Sequence, residues 1–109
     1  MAPLDGDRVA KVEIDTQVDP TGAPVVSLAG ELDISNVGPL KAVVASVTAD
    51  RPDQLIFELS GLRFIDSAGI AELLSAAAKV KAVHLRDPTP LVRRAVEGPG
   101  LSGVLHIEP

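Results

Sequence analysis

The residues best suited to chemistry are an aspartate and a serine followed by a glycine, Asp66-Ser67-Ala68-Gly69, where an apolar segment gives way to a helical pattern. The pattern places Ser67 at a helix N-terminus, where unpaired backbone N–H groups and the positive end of the helix dipole favour an added anion. The segment therefore predicts a serine that can carry a phosphate. The alternative is that Asp66 or Ser67 only caps the helix.

Ser67 also raises the possibility of a hydrolase, because Ser67-Ala68-Gly69 matches the second half of the Gly-x-Ser-x-Gly nucleophile elbow. Ile65 stands where that motif needs a glycine, and the strained turn of an elbow requires a small residue there. A chain of 109 residues is also short for a hydrolase sheet. A triad of Ser67, His84 and an aspartate is therefore disfavoured.

The sequence also disfavours metal and nucleotide sites. The chain has two histidines, His84 and His106, on separate predicted strands, and it has no cysteine. Without an evident third ligand, two such histidines predict no metal site. Gly61 and Gly98-Pro99-Gly100 form neither a Gly-x-Gly-x-x-Gly motif nor a Walker loop, so we expect no nucleotide and no other cofactor.

An acidic segment, Glu31-Leu32-Asp33, ends the second predicted strand. In a mixed sheet it can lie at the same end as Asp66-Ser67. Two interpretations stay open for these acids. They can serve in recognition of a partner, or they can form a solvated strand exit whose charges favour the dipole of the next helix.

Hydrophobic periodicity predicts the elements that position these residues. A short turn joins the first two strands as an antiparallel hairpin, and helices between the later strands imply parallel crossovers. We predict one α/β domain over residues 9–109, preceded by a flexible N-terminus at 1–8, with a mixed sheet of four to five strands and three to four helices. The predicted strands are 10–18, 25–29, 55–59, 83–85 and 104–107, and Ser60-Gly61 is expected to end the third of them. The first predicted helix begins at Ser35 or Asn36.

The second predicted helix begins at Asp66-Ser67 and ends near Lys79 or Val80, and its apolar face consists of Ile70, Leu73, Leu74 and Ala77. The third begins at Thr89-Pro90 and ends at Gly98-Pro99-Gly100, and its apolar stripe consists of Leu91, Val92, Ala95 and Val96.

Composition limits the possible partners. The chain has 15 acidic and 10 basic residues, a net charge of −5, and only 2% aromatic residues, which is a poor composition for nucleic-acid binding. Its longest uncharged stretch is 20–30, broken by prolines and glycines, whereas a membrane span needs about 20 apolar residues. Residues 1–8 lack a signal-peptide pattern. We therefore expect a soluble, cytoplasmic protein without a membrane partner.

Three blocks of sequence, in this order, resemble the STAS domain and, within it, the bacterial anti-sigma factor antagonists. They are 28–33 (LAGELD), 55–70 (LIFELSGLRFIDSAGI) and 87–94 (DPTPLVRR). The resemblance covers about residues 9–107, and its most specific part is the Asp-Ser-x-Gly block. It differs from many relatives in having Ala68 after the serine, which leaves Ser67 as the only acceptor candidate there, and in a short link at 79–82.

The resemblance implies a binding protein that regulates transcription and is not an enzyme. In its unphosphorylated form such a protein binds an anti-sigma factor, itself a serine kinase, and so frees a sigma factor; phosphorylation of the serine ends the binding, and a phosphatase restores it. By position, Ser67 is the phosphoacceptor, and the partner-binding residues are Glu31, Asp33, Asp66, Ser67, Ala68 and Gly69. Charges on the first edge strand disfavour self-pairing, so we expect a monomer when free. The alternative is a STAS module that is not phosphorylated and acts as a subunit or scaffold in a lipid-transport or stress-sensing complex.

Overall fold

A computed structural model describes residues 10–98 and 103–108. The predicted order of elements, β-β-α-β-α-β-α-β, is confirmed, with five strands and three helices in this part of the chain. They are β1 (Val12–Val18), β2 (Pro24–Leu32), α1 (Val37–Val47), β3 (Gln54–Ile65), α2 (Ser67–Ala77), β4 (Ala82–Arg86), α3 (Pro90–Glu97) and β5 (Leu105–Glu108). The predictions for the N-terminal residues 1–8 and for Pro99-Gly100 lie outside the described residues.

The strands form one sheet in the order β1-β2-β3-β4-β5. β1 is antiparallel to β2, and the other neighbours are parallel, which confirms the predicted mixed sheet. Each parallel step moves in the same direction along the sheet, so right-handed crossovers place the three helices on the same face. Alternate strand residues on that face, such as Leu28, Phe57 and Leu85, are fully buried in the aliphatic core.

The third strand is longer than the sequence predicts. Ser60-Gly61 does not end it; β3 continues for 12 residues to Ile65. The pairing of β3 with β2 shifts its register twice, between Ser27 and Ala29 and between Gly30 and Glu31. Gly61 allows the two strands to approach closely, since an added Cβ would lie 3.0 Å from the Cβ of Ala29. On the β2 side, Gly30 has a φ of +102°, and a side chain there would collide with the backbone carbonyl of Lys11.

The helices differ from prediction in three details. α2 ends at Ala77 rather than near Lys79 or Val80, because the next two amides bond three residues back and the chain then turns, with Lys81 and Ala82 donating to the Asp53 carbonyl. Its buried face is rotated from the predicted stripe: Leu73 is buried, but the other buried residues are Gly69, Glu72 and Ala76, while Ile70, Leu74 and Ala77 pack only at the margin of the core. In α3, Val92 and Val96 are buried as predicted, but Leu91 is 55% exposed.

The other boundaries lie within three residues of prediction, including that of β2, which continues through Glu31 to Leu32. Thr89 caps α3, with its hydroxyl accepting from the Val92 amide at 3.4 Å, and Pro90 takes the first helical position, as predicted. Across the described residues, no helix is long and apolar enough to cross a membrane.

Candidate functional site

Ser67 lies at the sheet edge formed by the carboxyl ends of β2 and β3. β3 ends at Ile65, Asp66 is extended (φ −105°, ψ −174°), and Ser67 is the exposed first residue of α2. The Asp66 carboxylate accepts from the Gly69 amide at 3.0 Å, so the predicted cap of this helix is confirmed, with aspartate as the capping residue. The serine hydroxyl is thus presented to solvent beside the positive end of an 11-residue helix.

The second oxygen of Asp66 reaches across to the other strand end. It accepts from the backbone amide of Ile34 at 3.1 Å, while the amide of Asp66 donates to the carbonyl of Leu32 at 3.1 Å. Leu32 and Ile65 are also partners in the β2–β3 register. Asp66 therefore joins the segment that follows β2 to the segment that carries Ser67.

The segment between β2 and α1 is held by its own polar side chains. The Asp33 carboxylate accepts from the amide of Ser35 at 2.8 Å and from its hydroxyl, and the Asn36 side chain accepts from the Asp33 amide at 3.0 Å. Asn36 also donates to the Glu31 carbonyl at 2.8 Å. Asn36 occupies the N-cap position of α1, but its side chain makes no cap hydrogen bond. The helix thus begins next to Asn36, as predicted, but both ends of the Asn36 side-chain amide bond the preceding loop instead of capping the helix.

The structure brings most of the predicted site residues to this edge. Glu31 lies 3.5 Å from the exposed guanidinium of Arg63 and is half-buried, and Asp33 follows two residues later in the loop just described. Ala68 is half-buried in the first turn of α2, next to Ser67. The prediction that the acidic strand exit lies at the same end of the sheet as Asp66-Ser67 is confirmed.

Gly69 lies beneath this surface rather than on it. It is buried, and an added Cβ would lie 2.6 Å from Cγ1 of Ile65 and 3.0 Å from Cδ2 of Leu32. The absence of a side chain allows the first turn of α2 to sit directly on the ends of β2 and β3. Gly69 thus sets the position of the Ser67 segment, and its amide completes the Asp66 cap.

Sequence reasoning missed the apolar residues of this edge. Ile34 is 78% exposed and Phe64 is 44% exposed. Leu91 lies in the first turn of α3, whose cap residue Thr89 donates its hydroxyl to the Leu62 carbonyl at 3.0 Å. The sequence does contain a signal for this exposure. Ile34 is the one apolar residue of the loop Asp33-Ile34-Ser35-Asn36, and it fits neither the strand pattern before it nor the helical pattern after it.

The histidines lie elsewhere. His84 is paired with Ile56, nine residues before the end of β3, which puts it about 30 Å from Ser67 along the strand. The disfavoured triad is therefore absent from the described structure. His84 and His106 are partners across β4 and β5, with ring centroids 5.3 Å apart, and Nδ1 of His84 lies 2.9 Å from a Glu108 carboxylate oxygen. Even so, the described residues contain no group of three or more potential ligands arranged to hold a metal ion.

Comparison with known protein families identifies the family of this chain. A family model described as the MlaB, STAS domain matches residues 6–107. The chain belongs to the STAS domain family. The match covers nearly the whole chain and agrees with the resemblance found in the sequence.

Relatives within the family include anti-sigma factor antagonists. The chain is 32% identical to anti-sigma-F factor antagonist RsfB of Mycobacterium tuberculosis over 65 residues, which is 60% of this STAS chain and 53% of RsfB. The chain therefore aligns with only about half the length of this relative.

Solved structures show the same fold. The crystal structure of an anti-sigma factor antagonist from Mycobacterium paratuberculosis matches with a TM-score of 0.83 and 26% identity, over 91% of this chain and 86% of the other. Unphosphorylated SpoIIAA matches with a TM-score of 0.74 and 22% identity, over 87% of each chain. Phosphorylated SpoIIAA from Bacillus matches with a TM-score of 0.68 and 21% identity, over 87% of this chain and 90% of the other.

Proposed function

We propose that this STAS domain is an anti-sigma factor antagonist whose binding to an anti-sigma factor kinase is switched off by phosphorylation of Ser67. In the unphosphorylated state it would bind the kinase and free a sigma factor, and a phosphatase would restore that state. The observation that carries the proposal is the exposed serine at the first position of α2, Ser67, at the carboxyl ends of β2 and β3. The similarity to RsfB, named an anti-sigma-F factor antagonist, supports the choice of partner class.

The local electrostatics suit a reversible phosphate. A phosphoserine carries about −1.5 to −2 charges at neutral pH, and the N-terminus of α2 stabilises such an anion by about 0.3–1 kcal/mol. The neighbouring carboxylate of Asp66 opposes this. The phosphate would therefore be tolerated by the fold without being tightly held, so that its main effect falls on a partner placed against Ser67.

The effect on a partner can be estimated from Coulomb's law. A like charge about 6 Å from the phosphate, at an effective dielectric of about 20, costs about 3 kcal/mol for each unit pair. Since about 1.4 kcal/mol changes affinity tenfold, a loss of about 100-fold is expected. Salt reduces the repulsion, and desolvation of the phosphate adds to it.

A direct experiment is phosphoryl transfer followed by intact mass measurement. The protein is incubated with ATP and each anti-sigma factor kinase of its source organism, and the site is mapped by peptide fragmentation. One added phosphoryl group at Ser67, absent in Ser67→Ala, supports the proposal. Ser60→Ala and Ser75→Ala, which replace other exposed serines, should still accept phosphate.

The alternative roles make different predictions in the same assay. A STAS module of a lipid-transport or stress-sensing complex would accept no phosphate from any of the kinases, and its partners would be recovered equally with wild type and Ser67→Ala. A hydrolase would be labelled at Ser67 by a serine-reactive probe. The distance between Ser67 and His84 argues against a hydrolase.

A further inference from the structure

The acidic side chains around Ser67 make hydrogen bonds or ion pairs within the chain itself. Both carboxylate oxygens of Asp66 accept backbone N–H groups. Asp33 is used by Ser35, and Glu31 faces Arg63. Each carboxylate oxygen can accept more than one hydrogen bond, so these acids also keep acceptor capacity for a partner. This edge also exposes apolar surface, most of all the side chain of Ile34.

Ile34 is exposed on a loop that is well fixed. Its own amide is bonded to Asp66, the preceding amide to Asn36, and the following amide to Asp33. A large apolar side chain held out by a hydrogen-bonded loop loses little conformational entropy on binding, which is the condition for a strong contact at an interface. The loop thus resembles a preformed anchor rather than an unfinished piece of core.

Resting on the proposed function, we propose that Ile34 is the apolar anchor that enters a pocket of the anti-sigma factor kinase, and that Asp66 is the positioning residue that holds this anchor in register with Ser67. The partner would thus meet two points, an isoleucine from the β2–α1 loop and a hydroxyl from the first turn of α2. The Asp66 carboxylate links the two, because its two oxygens accept from the amides of Ile34 and Gly69.

The anchor is tested by the affinity of purified anti-sigma factor kinases for Ile34→Ala and for a matched control, Val18→Ala. Val18 is 71% exposed against 78% for Ile34, but it pairs with Pro24 at the opposite end of β2. Ile34→Ala is expected to weaken binding about 10-fold or more, with the melting temperature unchanged, and Val18→Ala is expected to leave binding intact. Equal effects of the two variants would overturn the anchor.

The positioning role is tested without any partner, by amide hydrogen exchange in Asp66→Asn. Asparagine still caps α2, but its amide has only one oxygen, so it cannot accept from both Ile34 and Gly69. The Ile34 amide is expected to exchange about 10-fold faster, while the Gly69 and Phe57 amides keep their protection. An unchanged Ile34 rate would overturn the role of Asp66.

The two measurements separate this inference from the proposed function. If wild type binds none of the kinases, the proposed function fails and the anchor fails with it, whereas the exchange rate still decides whether Asp66 holds the loop. If wild type binds and Ser67 is phosphorylated, but Ile34→Ala binds normally, only the anchor is wrong.

Discussion

The Asp66 carboxylate accepts a hydrogen bond from the backbone amide of Ile34 at 3.1 Å, across 32 positions of sequence. This bond connects the loop after β2 to the residue that caps α2. The segment that carries the exposed Ile34 side chain and the segment that carries Ser67 therefore cannot move independently without breaking this hydrogen bond.

Phosphorylation of Ser67 is expected to change binding and leave the fold intact. The favourable interaction with the α2 dipole, about 0.3–1 kcal/mol, is opposed by Asp66. The melting temperature should therefore shift by less than about 4 °C, while affinity for the kinase falls about 100-fold and partly recovers at higher salt. Calorimetry and titration of both forms check this. A large drop in melting temperature with loss of helix signal would mean that the switch is unfolding.

Replacing Gly69 by alanine is expected to destabilise the domain by about 1–3 kcal/mol. The new Cβ would lie 2.6 Å from Cγ1 of Ile65, inside the packed seat of α2. Gly103→Ala is the matched control, because Gly103 is exposed and a Cβ there meets nothing within 4 Å. It should change the free energy of unfolding by less than about 0.5 kcal/mol. Urea unfolding of both variants measures the contrast, and equal midpoints would contradict the packing argument.

The pair of Lys41 and Glu72 predicts strong coupling between α1 and α2. The Glu72 side chain is only 3% exposed, and its carboxylate lies 3.3 Å from the Lys41 ammonium, which is 63% exposed. Lys41→Met leaves a buried carboxylate without its partner and should cost about 2–4 kcal/mol.

Two further variants control that measurement. The double variant Lys41→Met with Glu72→Leu should recover most of the lost stability, because no buried charge remains. Lys81→Met, which breaks an exposed pair with Asp53, should cost less than about 1 kcal/mol. Additive single and double effects in denaturant unfolding would show that the two side chains are not coupled.

The β1–β2 turn should weaken in acid. The hydrogen bond from the Thr21 side chain holds the pKa of Asp19 below its usual value, and backbone bonds from Ala23 and Thr21 act in the same direction. Because the folded pKa is the lower one, the ionised group contributes stability above the unfolded pKa, near 3.9, and this contribution is lost as the pH falls through the folded pKa. Unfolding midpoints between pH 7 and pH 3 should fall more for wild type than for Asp19→Asn. Parallel curves would contradict the assignment.

Much of the fold could be predicted because local chemistry determines it. Period-two and helical patterns gave the order of the elements, and the caps at Asp66 and Thr89 depend on a side chain and an amide three residues later. The placement of Ser67 at the start of α2 follows from the same short-range rule. Such features need only a few consecutive residues, so the chain encodes them wherever the rest of the molecule lies.

The features that define the site as a surface come from the tertiary structure. Ser60-Gly61 reads as a strand end, but pairing with β2 carries β3 on to Ile65. Asn36 reads as a cap, but its amide serves the loop before it. Ile34 and Asp66 meet only because Leu32 and Ile65 are neighbours in a parallel sheet. The register between distant strands is set by burial of whole faces and by room for glycines, a sum over many residues that no local pattern contains.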